Sequence, residues 1–328
     1  MIVAIRRRVR LATVARDTVS PEVAVIINPI AGTGGRMDVA RDRVEQAASL
    51  VAGRGLDAQA VQVLVTERPG HAGELTQALL AQGVATVVAW GGDGTVNEVA
   101  AALAFRDATL VVVPSGSGNG LARELQIPCD PERAFAVAFE GRRCQIDAGE
   151  LDGRLFFNVA GIGLDARVAH RFAAGGLVRR GFGRYLTATT QELFTYQAGY
   201  HTVVTDGTAL HVRAMLIAIA NARQYGNGAV IAPAARVDDG KLDVVIVAAR
   251  SPLAALAQVP RLFMGGIARV CGVTSVPALD IEVTSEHAVL YHVDGEPHMG
   301  GASIAARPRA RALRVAVPAG ARLDLLSG

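Results

Sequence analysis

The stretch Val84-Ala85-Thr86-Val87-Val88-Ala89-Trp90-Gly91-Gly92-Asp93-Gly94-Thr95-Val96-Asn97-Glu98 determines the architecture of the first half of the chain. The run from Val84 to Trp90 is apolar, with the length and composition of a strand that is covered on both faces. A glycine-rich turn follows at once, and a helical pattern begins at Val96. The stretch therefore predicts a strand, a tight turn and a helix in direct succession.

The same order of elements recurs on both sides of this stretch. Further apolar runs predict strands at Val23–Ile27, Ala60–Val65 and Leu110–Val113. Helical patterns lie at Val39–Leu50, Gly73–Ala81, Val96–Leu103 and Pro131–Phe139. Alternation of strands and helices is typical of a parallel sheet with helices on both faces. The sequence therefore predicts an α/β domain over residues 21–148.

The pattern changes after about Gly149, where short β-rich runs replace the alternation. Asp152-Gly153 and Asp206-Gly207 each separate two apolar runs, which is a good signal for a hairpin. Later strand-like runs lie at Ala214–Ala220, Leu242–Val247, Ile281–Val283, Ala288–Val293 and Leu313–Val317, and helical patterns at Tyr185–Tyr196 and Leu253–Phe263. These runs predict a mostly antiparallel second domain over residues 149–304. They leave open whether residues 305–328 return to the first domain.

Composition limits the class of protein. The chain has 328 residues, of which 51% are hydrophobic and 19% charged, and this excludes a disordered chain. The net charge of +3 permits contact with an anionic membrane or nucleic acid but requires neither. No apolar run is long enough for a membrane-spanning helix, and no cysteine spacing indicates a disulfide or zinc site. The 7 histidines show no metal-ligand spacing and are expected to be surface or packed residues.

Residues 1–20 form a basic arm that differs from the rest of the chain. Arg6, Arg7, Arg8, Arg10 and Arg16 are opposed only by Asp17. The arm is interpreted either as a frayed tail, or the product of an upstream start codon, or as a segment that contacts anionic lipid.

Three glycine-rich turns follow predicted strands and form the first candidate site. They are Asn28-Pro29-Ile30-Ala31-Gly32-Thr33-Gly34-Gly35-Arg36, Gly91–Glu98 and Pro114–Arg123. Glycine lets a ligand approach the backbone, and free N–H groups at the start of a helix favour phosphate. Because ligands bind at the carboxyl ends of parallel strands, the turns predict a shared phosphate site. Asp93 supplies a carboxylate suited to Mg²⁺ or to a positioned hydroxyl, and a capped tight turn is the alternative.

Two acidic turns in the second half form the other candidates. Asp294-Gly295-Glu296 is either an ordinary hairpin turn or the source of a carboxylate that accepts a hydroxyl proton. Residues two apart on an extended chain share a side, so Asp294 and Glu296 are expected to face the same way. Glu296 is favoured as the base over Asp294, and Asp93 is a third candidate. Asp238-Asp239-Gly240 is either a turn or part of a site for a hard cation.

The ordered motifs resemble those of the diacylglycerol kinase catalytic-domain superfamily over nearly the whole chain. Gly91–Thr95 resembles its GGDGT signature, Asn28–Gly32 its NPxSG nucleotide loop, and Pro114–Asn119 its PxGTxN loop. Similar motifs in the second half lie at Gln145–Gly149, Asn158–Ala166, Pro233–Asp243 and Asp294–Glu296. GGDG alone also occurs in NAD kinases and phosphofructokinases, so the identification depends on the ordered set.

The resemblance implies a bacterial-type lipid kinase with a Rossmann-like α/β nucleotide domain, a β-sandwich lipid domain and ATP in the cleft between them. By motif, the ATP site would comprise Asn28, Pro29, Ile30, Ala31, Gly32, Thr66, Gly91, Gly92, Asp93, Gly94, Thr95, Val96, Asn97 and Ser117. Asp239 and the backbone carbonyls of Arg236 and Lys241 would hold a structural Mg²⁺, with Asp147 connected to it through water. Asp294-Gly295-Glu296 would present the catalytic base.

Some positions depart from the family pattern. Ile30-Ala31 replaces x-Ser, Ser117 replaces Thr with the hydroxyl kept, and Gly120-Leu121 replaces Asp-Phe, closer to sphingosine-kinase-like members. Diacylglycerol is the expected acceptor and phosphatidic acid the expected product. A sphingosine-like or other lipid kinase, an NAD kinase and a non-catalytic nucleotide- or lipid-binding regulator are the alternatives. In NAD kinases the Asn-Glu pair lies well downstream of GGDG, whereas Asn97-Glu98 follows it directly here.

The resemblance also has implications for partners and location. It implies a cytoplasmic protein that meets its lipid substrate at a membrane surface by peripheral contact. No nucleic acid partner is expected, and a homodimer is left open.

Overall fold

The computed structural model describes residues 22–32, 37–53, 61–174 and 182–321. The basic arm at residues 1–20 and the end of the first glycine-rich turn at residues 33–36 lie outside these ranges. Of the helices in the described ranges, none combines the length and apolar character needed to cross a bilayer.

The first half forms the predicted α/β domain. Its strands are parallel, stand in the order β2-β1-β3-β4, and span β1 Val23–Ile27, β2 Val61–Val65, β3 Thr86–Gly91 and β4 Thr109–Pro114. The helices are α1 Met37–Ala52, α2 His71–Ala81, α3 Asp93–Leu103, α4 Gly120–Glu124 and α5 Pro131–Glu140. Every residue of β1, β3 and β4 is buried, as the uninterrupted apolar runs predict.

The second half is mostly antiparallel, which confirms the predicted fold class. Its strands are β5 Arg142–Leu151, β6 Arg154–Phe156, β7 Val159–Gly163, β8 Gly199–Thr205, β9 Thr208–Ala220, β10 Leu242–Ala248, β11 Val273–Ala278, β12 Ile281–Ser285, β13 Leu290–Val293, β14 Glu296–Met299 and β15 Ser303–Val317. The helices are α6 Leu164–Ala174, α7 Phe182–Thr195, α8 Pro252–Leu256 and α9 Val259–Phe263. One face of the antiparallel strands encloses a core that includes Ile217, Val244, Val283 and Tyr291.

Three Asp-Gly pairs close hairpins of the same kind. Asp152, Asp206 and Asp294 have φ of 50°, 47° and 47°, and each following glycine also has a positive φ. Two positive φ angles in succession are what a two-residue type I′ turn requires. The first two pairs join β5 to β6 and β8 to β9, which confirms the predicted hairpins. The third joins β13 to β14.

Some elements differ from the sequence prediction. The single helix predicted at Leu253–Phe263 is wrong, because α8 ends at Leu256 and α9 begins at Val259. Pro260 has no N–H to donate to Leu256, and its ring would clash with that carbonyl in a continuous helix. Helix α6 and strand β11 were not predicted. Strand β11 contains Pro277, which is tolerated because β10 is its only partner in the described sheet.

Strand β15 is shared by the two halves. It pairs antiparallel with β12 at Ser303–Ala306 and with β5 from Ala306 to Val317. It also pairs in parallel with β4 at Arg314 and Val315. All described strands therefore belong to one continuous sheet that passes from the parallel half to the antiparallel half.

Candidate active site

The three glycine-rich turns meet at the carboxyl ends of β1, β3 and β4. A Cβ at Gly32 would lie 2.5 Å from the Ser115 carbonyl oxygen, and a Cβ at Gly116 would lie 2.8 Å from Gly92 Cα. Real Cβ atoms do not approach other atoms so closely. Glycine therefore lets the three turns pack against one another at one edge of the sheet.

Asn28 joins the first turn to the second. Its side-chain amide donates to Thr95 Oγ1 at 2.7 Å, and its Oδ1 accepts from the Ile30 N–H at 3.0 Å. The Arg43 guanidinium donates to the carbonyls of Asn28 and Ala31 at 2.8 and 2.7 Å. These bonds fix the backbone of the Asn28–Gly32 turn and leave Ile30 46% exposed.

Asp93 joins the second turn to the third. Its two carboxylate oxygens accept from the backbone N–H groups of Asn119 and Gly120 at 2.9 and 2.7 Å. These N–H groups stand at the start of α4, so the carboxylate caps that helix from another element. A Cβ at Gly118 would lie 2.7 Å from Asp93 Oδ2. The structure thus gives Asp93 a capping role within the site that sequence reasoning described only as an alternative.

The other residues of the predicted ATP site differ in how exposed they are. Gly94 of the second turn and Ser117 of the third turn are exposed to solvent, whereas Gly91 is buried in β3. Thr66, Thr95 and Val96 are buried, so their side chains contribute to packing. The neighbouring Glu98 accepts from the N–H groups of Gly70 and Ala72 at 2.9 and 3.0 Å and so holds the start of α2 beside this edge.

Asp294 connects the two halves of the protein. One carboxylate oxygen accepts from Asn97 Nδ2 on α3 and from the Phe157 N–H, at 2.7 and 2.8 Å. The other accepts from the N–H groups of Asn158 and Val159 at 2.9 and 3.1 Å. Burial raises the pKa of this carboxyl group, and the four N–H donors oppose that rise because they favour the ionised form.

Asp294 and Asp93 face the same small cavity between the two halves. Its lining also includes Asn97, Asn158 and Leu121. Asn158 Oδ1 is buried without a hydrogen-bond partner among the described residues. Polar side chains from both halves of the protein therefore meet at this cavity, and Asp294 has a bonding role that sequence reasoning did not predict.

Glu296 lies just beyond the same turn, at the first position of β14. It is exposed, and its carboxylate has no hydrogen bond or ion pair from a described residue. The expectation that Asp294 and Glu296 share one side of an extended chain is wrong in its geometry, because φ is 47° at Asp294 and 88° at Gly295. The chain reverses between them, so the two carboxylates have different surroundings.

Three of the predicted metal residues, Arg236, Asp239 and Lys241, lie in a loop that contacts β5, and Asp147 lies on β5 itself. Asp147 Oδ2 accepts from the Gly240 N–H at 2.7 Å, and Asp239 Oδ1 accepts from the Lys241 N–H at 3.0 Å. Burial raises the pKa of Asp147, and the nearby carboxylates of Asp239 and Asp238 raise it further. Carboxylates are ligands that a hard cation takes, but within the described ranges no three or more His, Cys, Asp or Glu side chains are grouped as a metal site.

Two polar clusters of the site were not predicted. Glu124 on α4, 3% exposed, accepts from the Arg223 guanidinium at 2.9 Å and so ties the third turn to the second half. His292 and Asp165 form a buried pair with Nε2 and Oδ2 3.2 Å apart. Asp165 lies within the Asn158–Ala166 motif, which was the only sequence signal for this cluster.

Two family models together cover most of the described chain. The model described as "Diacylglycerol kinase catalytic domain" matches residues 22–151. The model described as "YegS C-terminal NAD kinase beta sandwich-like domain" matches residues 158–317.

Similar proteins of known sequence and structure agree with these matches. The chain is 34% identical over 285 residues to a Pseudomonas aeruginosa protein named "Probable lipid kinase YegS-like", covering 86% of this chain and 91% of that protein. It is 32% identical over 247 residues to a protein of the same name from Serratia proteamaculans, covering 74% and 80% of the two chains. A crystal structure of a diacylglycerol kinase from Bacillus anthracis has the same fold, with a TM-score of 0.67, 19% identity and coverage of 90% and 97%.

Proposed function

This chain belongs to the YegS-like lipid kinase family, and on that premise we propose that it transfers the γ-phosphoryl group of ATP to the hydroxyl of a lipid. Diacylglycerol is the first expected acceptor and phosphatidic acid the expected product. The observation that carries the proposal is the meeting of three glycine-rich turns at one edge of the sheet, with Asp294 of the second half hydrogen-bonded to Asn97 beside them. The turns supply phosphate contacts, and the Asp294-Gly295 turn is followed at once by an exposed carboxylate, Glu296, as a candidate proton acceptor.

ATP would bind over the joined turns, with its phosphates near the exposed residues. Gly94 and Ser117 are exposed there, and Gly94 has open space where a Cβ would stand. Backbone N–H groups at the start of α3 offer the positive end of a helix to the phosphates. The hydroxyl of Ser117 can donate to a phosphate oxygen. These features favour binding of the nucleotide without a Walker lysine.

Two glycines of these turns give opposite expected results when changed to alanine. Gly94→Ala is expected to keep the thermal stability, because no atom lies within 4 Å of the new Cβ, yet to weaken ATP binding. The methyl group would occupy space needed by the phosphates, with an expected loss of about tenfold, or about 1.4 kcal/mol. Gly116→Ala is expected to lower the melting temperature, because its Cβ would meet Gly92 Cα at 2.8 Å.

Calorimetric titration with ATP and a thermal melt of each variant check this pair. Wild-type ATP affinity in Gly94→Ala would contradict the phosphate position. Equal melting temperatures for both variants would contradict the packing role of Gly116.

Glu296 would act as the base that accepts the proton of the attacking hydroxyl. Of the three candidate carboxylates, Asp294 accepts four N–H donors and Asp93 accepts two. A carboxylate that is already bonded in this way has little capacity left to take a proton. Glu296 is exposed and has no such partner among the described residues, so it is the candidate that the geometry favours.

Magnesium would have two roles in this proposal. An ion bound with the nucleotide would neutralise charge on the phosphates. Asp93, which lies in the second of the joined turns, is the candidate carboxylate there. In the loop beside β5, Asp239 and the carbonyls of Arg236 and Lys241 would hold a structural ion, with Asp147 behind them. Burial is the main cause of the raised pKa values of Asp147 and Asp243, and the nearby carboxylate of Asp239 adds to both, so a cation in this loop would offset that repulsion.

A phosphoryl-transfer assay on a panel of lipids tests the proposal directly. The protein, MgCl₂ and γ-labelled ATP are incubated with diacylglycerol, with sphingosine and with a total lipid extract, and NAD is included as a non-lipid acceptor. Label in phosphatidic acid is the expected result. Label in another lipid would retain the kinase and replace the substrate, and label in NADP would favour an NAD kinase. ATP binding without label in any acceptor would favour a non-catalytic regulator.

A lipid kinase must reach its acceptor at a bilayer, and one segment of the second domain fits that task. From Val244 to Leu279 the chain has three arginines, Arg250, Arg261 and Arg269, and no acidic residue. Its exposed side chains include Leu253 at 71% and Met264 at 80%. Exposed apolar side chains among positive charges are typical of a surface that contacts anionic lipid.

This segment is connected to the proposed nucleotide site. The Val230 N–H donates to the Leu262 carbonyl at 2.8 Å, and the Asn227 N–H of the same loop donates to the Gly118 carbonyl at 3.0 Å. A bilayer bound at α8 and α9 would thus be one loop away from the third glycine-rich turn. The peripheral membrane contact expected from the family resemblance is proposed at this surface.

Vesicle flotation is the measurement for this contact. The double variant Leu253→Glu with Met264→Glu is expected to reduce binding to phosphatidylglycerol vesicles by at least about tenfold, because burying one such side chain contributes about 1.5–3 kcal/mol. The control Leu210→Glu changes an exposed leucine on β9 and is expected to bind as the wild type does. Equal binding by the double variant and the wild type would exclude this surface.

A further inference from the structure

The Asp294-Gly295 turn, which Glu296 follows, is hydrogen-bonded to the buried imidazole of His292. His292 is 4% exposed on β13, two residues before the turn, and its Nδ1 accepts from the Gly295 N–H at 3.2 Å. Its Nε2 lies 3.2 Å from Asp165 Oδ2 on α6. Both ring nitrogens are therefore engaged, one by the turn and one by a helix of the second domain.

These two partners give the two ring nitrogens opposite roles. A nitrogen that accepts from a backbone N–H carries no proton, so Nδ1 is the acceptor for the turn and Nε2 is the nitrogen that can donate to Asp165. A second proton would convert Nδ1 into a donor that faces another donor, and the bond to Gly295 would be lost.

The surroundings hold the imidazole in this orientation. Asp165 also accepts from the Tyr225 hydroxyl at 3.0 Å and from the Ala166 N–H at 2.8 Å. A Cβ at Gly161 would lie 1.8 Å from Asp165 Oδ2 and 2.6 Å from His292 Nε2, so only glycine leaves room for the pair. The titratable groups that face His292 are Asp165 from α6, Tyr225 from the loop after β9, and His298 from β14.

We propose that His292 is a positioning residue for phosphoryl transfer, which holds the Asp294-Gly295 turn through its unprotonated Nδ1 and thereby places Glu296. Asp165 is linked to the turn through the ring, and Tyr225 through Asp165. Gly226, next to Tyr225, packs against Gly118 of the third glycine-rich turn, so the same cluster borders the nucleotide side of the site. The inference rests on the proposed function, because it takes Glu296 as the base.

Two substitutions separate positioning from packing. His292→Leu keeps a side chain of similar size but removes the acceptor, and kcat is expected to fall roughly 10²-fold because a small misplacement of a reacting group has effects of that size. His292→Asn keeps an acceptor oxygen near the position of Nδ1 and is expected to recover most of that loss. KM for ATP is expected to change little in either variant, since neither touches the nucleotide turns.

Rescue by the conservative variant supplies a readout that a merely structural role would not change, because His292→Asn restores the acceptor for Gly295 without restoring the ring. Tyr225→Phe removes the hydroxyl bond to Asp165 and is expected to lower kcat by less than His292→Leu does. Wild-type kcat in His292→Leu, or an equal loss of kcat in His292→Leu and His292→Asn, would overturn the proposal.

Nitrogen-15 NMR of the histidine rings keeps the test independent of activity. The expected spectrum assigns His292 as the neutral tautomer with its proton on Nε2, and His292→Asn removes that signal. A proton on Nδ1 would overturn the proposal even if the enzyme were fully active. If Glu296→Gln retained full activity while the NMR assignment held, the proposed base would fail and the state of His292 would stand.

Discussion

Glu296→Gln is expected to lower kcat by roughly 10²–10⁴-fold, the usual contribution of a general base. Glutamine keeps the size of the side chain and removes its capacity to take the hydroxyl proton. Because Glu296 is exposed and unbonded by the described residues, the folded state loses nothing, and the melting temperature is expected to be unchanged. The labelled-ATP assay with the best lipid acceptor, together with a thermal melt, measures both quantities.

The matched control is Glu286→Gln, which neutralises another exposed glutamate in the loop before β13. It is expected to retain wild-type kcat, so the comparison separates the base from a general effect of charge. Near-normal turnover in Glu296→Gln would remove Glu296 from the chemistry. Asp93 would then be the remaining candidate, because Asp294 is fully bonded.

Asp294→Asn is expected to destabilise the protein by about 3–5 kcal/mol, since unsatisfied buried donors each cost about 1–3 kcal/mol. Asparagine can keep one oxygen for two of the four N–H donors. Its NH₂ group would then face the other two, which are either Asn97 Nδ2 and the Phe157 N–H or the N–H groups of Asn158 and Val159. Urea denaturation measures the loss, and kcat is expected to fall with it because the turn that carries Glu296 is released.

Asp206→Asn is the matched control for this stability effect. Asp206 occupies the same position of the same turn type, with φ of 47°, and accepts from the N–H groups of Leu279 and Asp280 at 2.9 Å each. It is exposed, so water can replace any bond that is lost, and only a small change in stability is expected. Equal losses of stability in the two variants would mean that the four N–H donors around Asp294 contribute no more to stability than the two around Asp206.

The first domain could be predicted from the sequence because its signals are local. Short apolar runs bounded by glycine, proline or asparagine gave β1 at its observed ends and the other parallel strands to within about two residues. The positions of the three glycine-rich turns followed from the rule that ligands bind where parallel strands end. Their direct packing, through Gly32, Gly92 and Gly116, is consistent with the absence of side chains there.

The bonds that join the domains could not be predicted in the same way. Asp294 meets Asn97 across 197 positions and Phe157 across 137, so no local pattern links these residues. An Asp-Gly pair is a hairpin signal wherever it stands, so local pattern does not separate Asp294 from Asp152 or Asp206. The family motif singled out Asp294, but as a candidate base and not as a carboxylate that joins the two halves. His292 likewise has no spacing partner, since Asp165 is 127 positions away.

The strand that ends the described chain has a consequence for how the protein forms. Strand β15 supplies Arg314 and Val315 to the edge of the parallel sheet and Ser303–Ala306 to the antiparallel one. During synthesis, the α/β half therefore emerges long before the segment that covers its open edge at β4. Until the ribosome has released that segment, the half-finished sheet presents an unpaired edge, which is where chaperones or wrong partners would bind. For the same reason, expression of residues 21–148 alone is expected to give an aggregation-prone fragment rather than an independently folded domain.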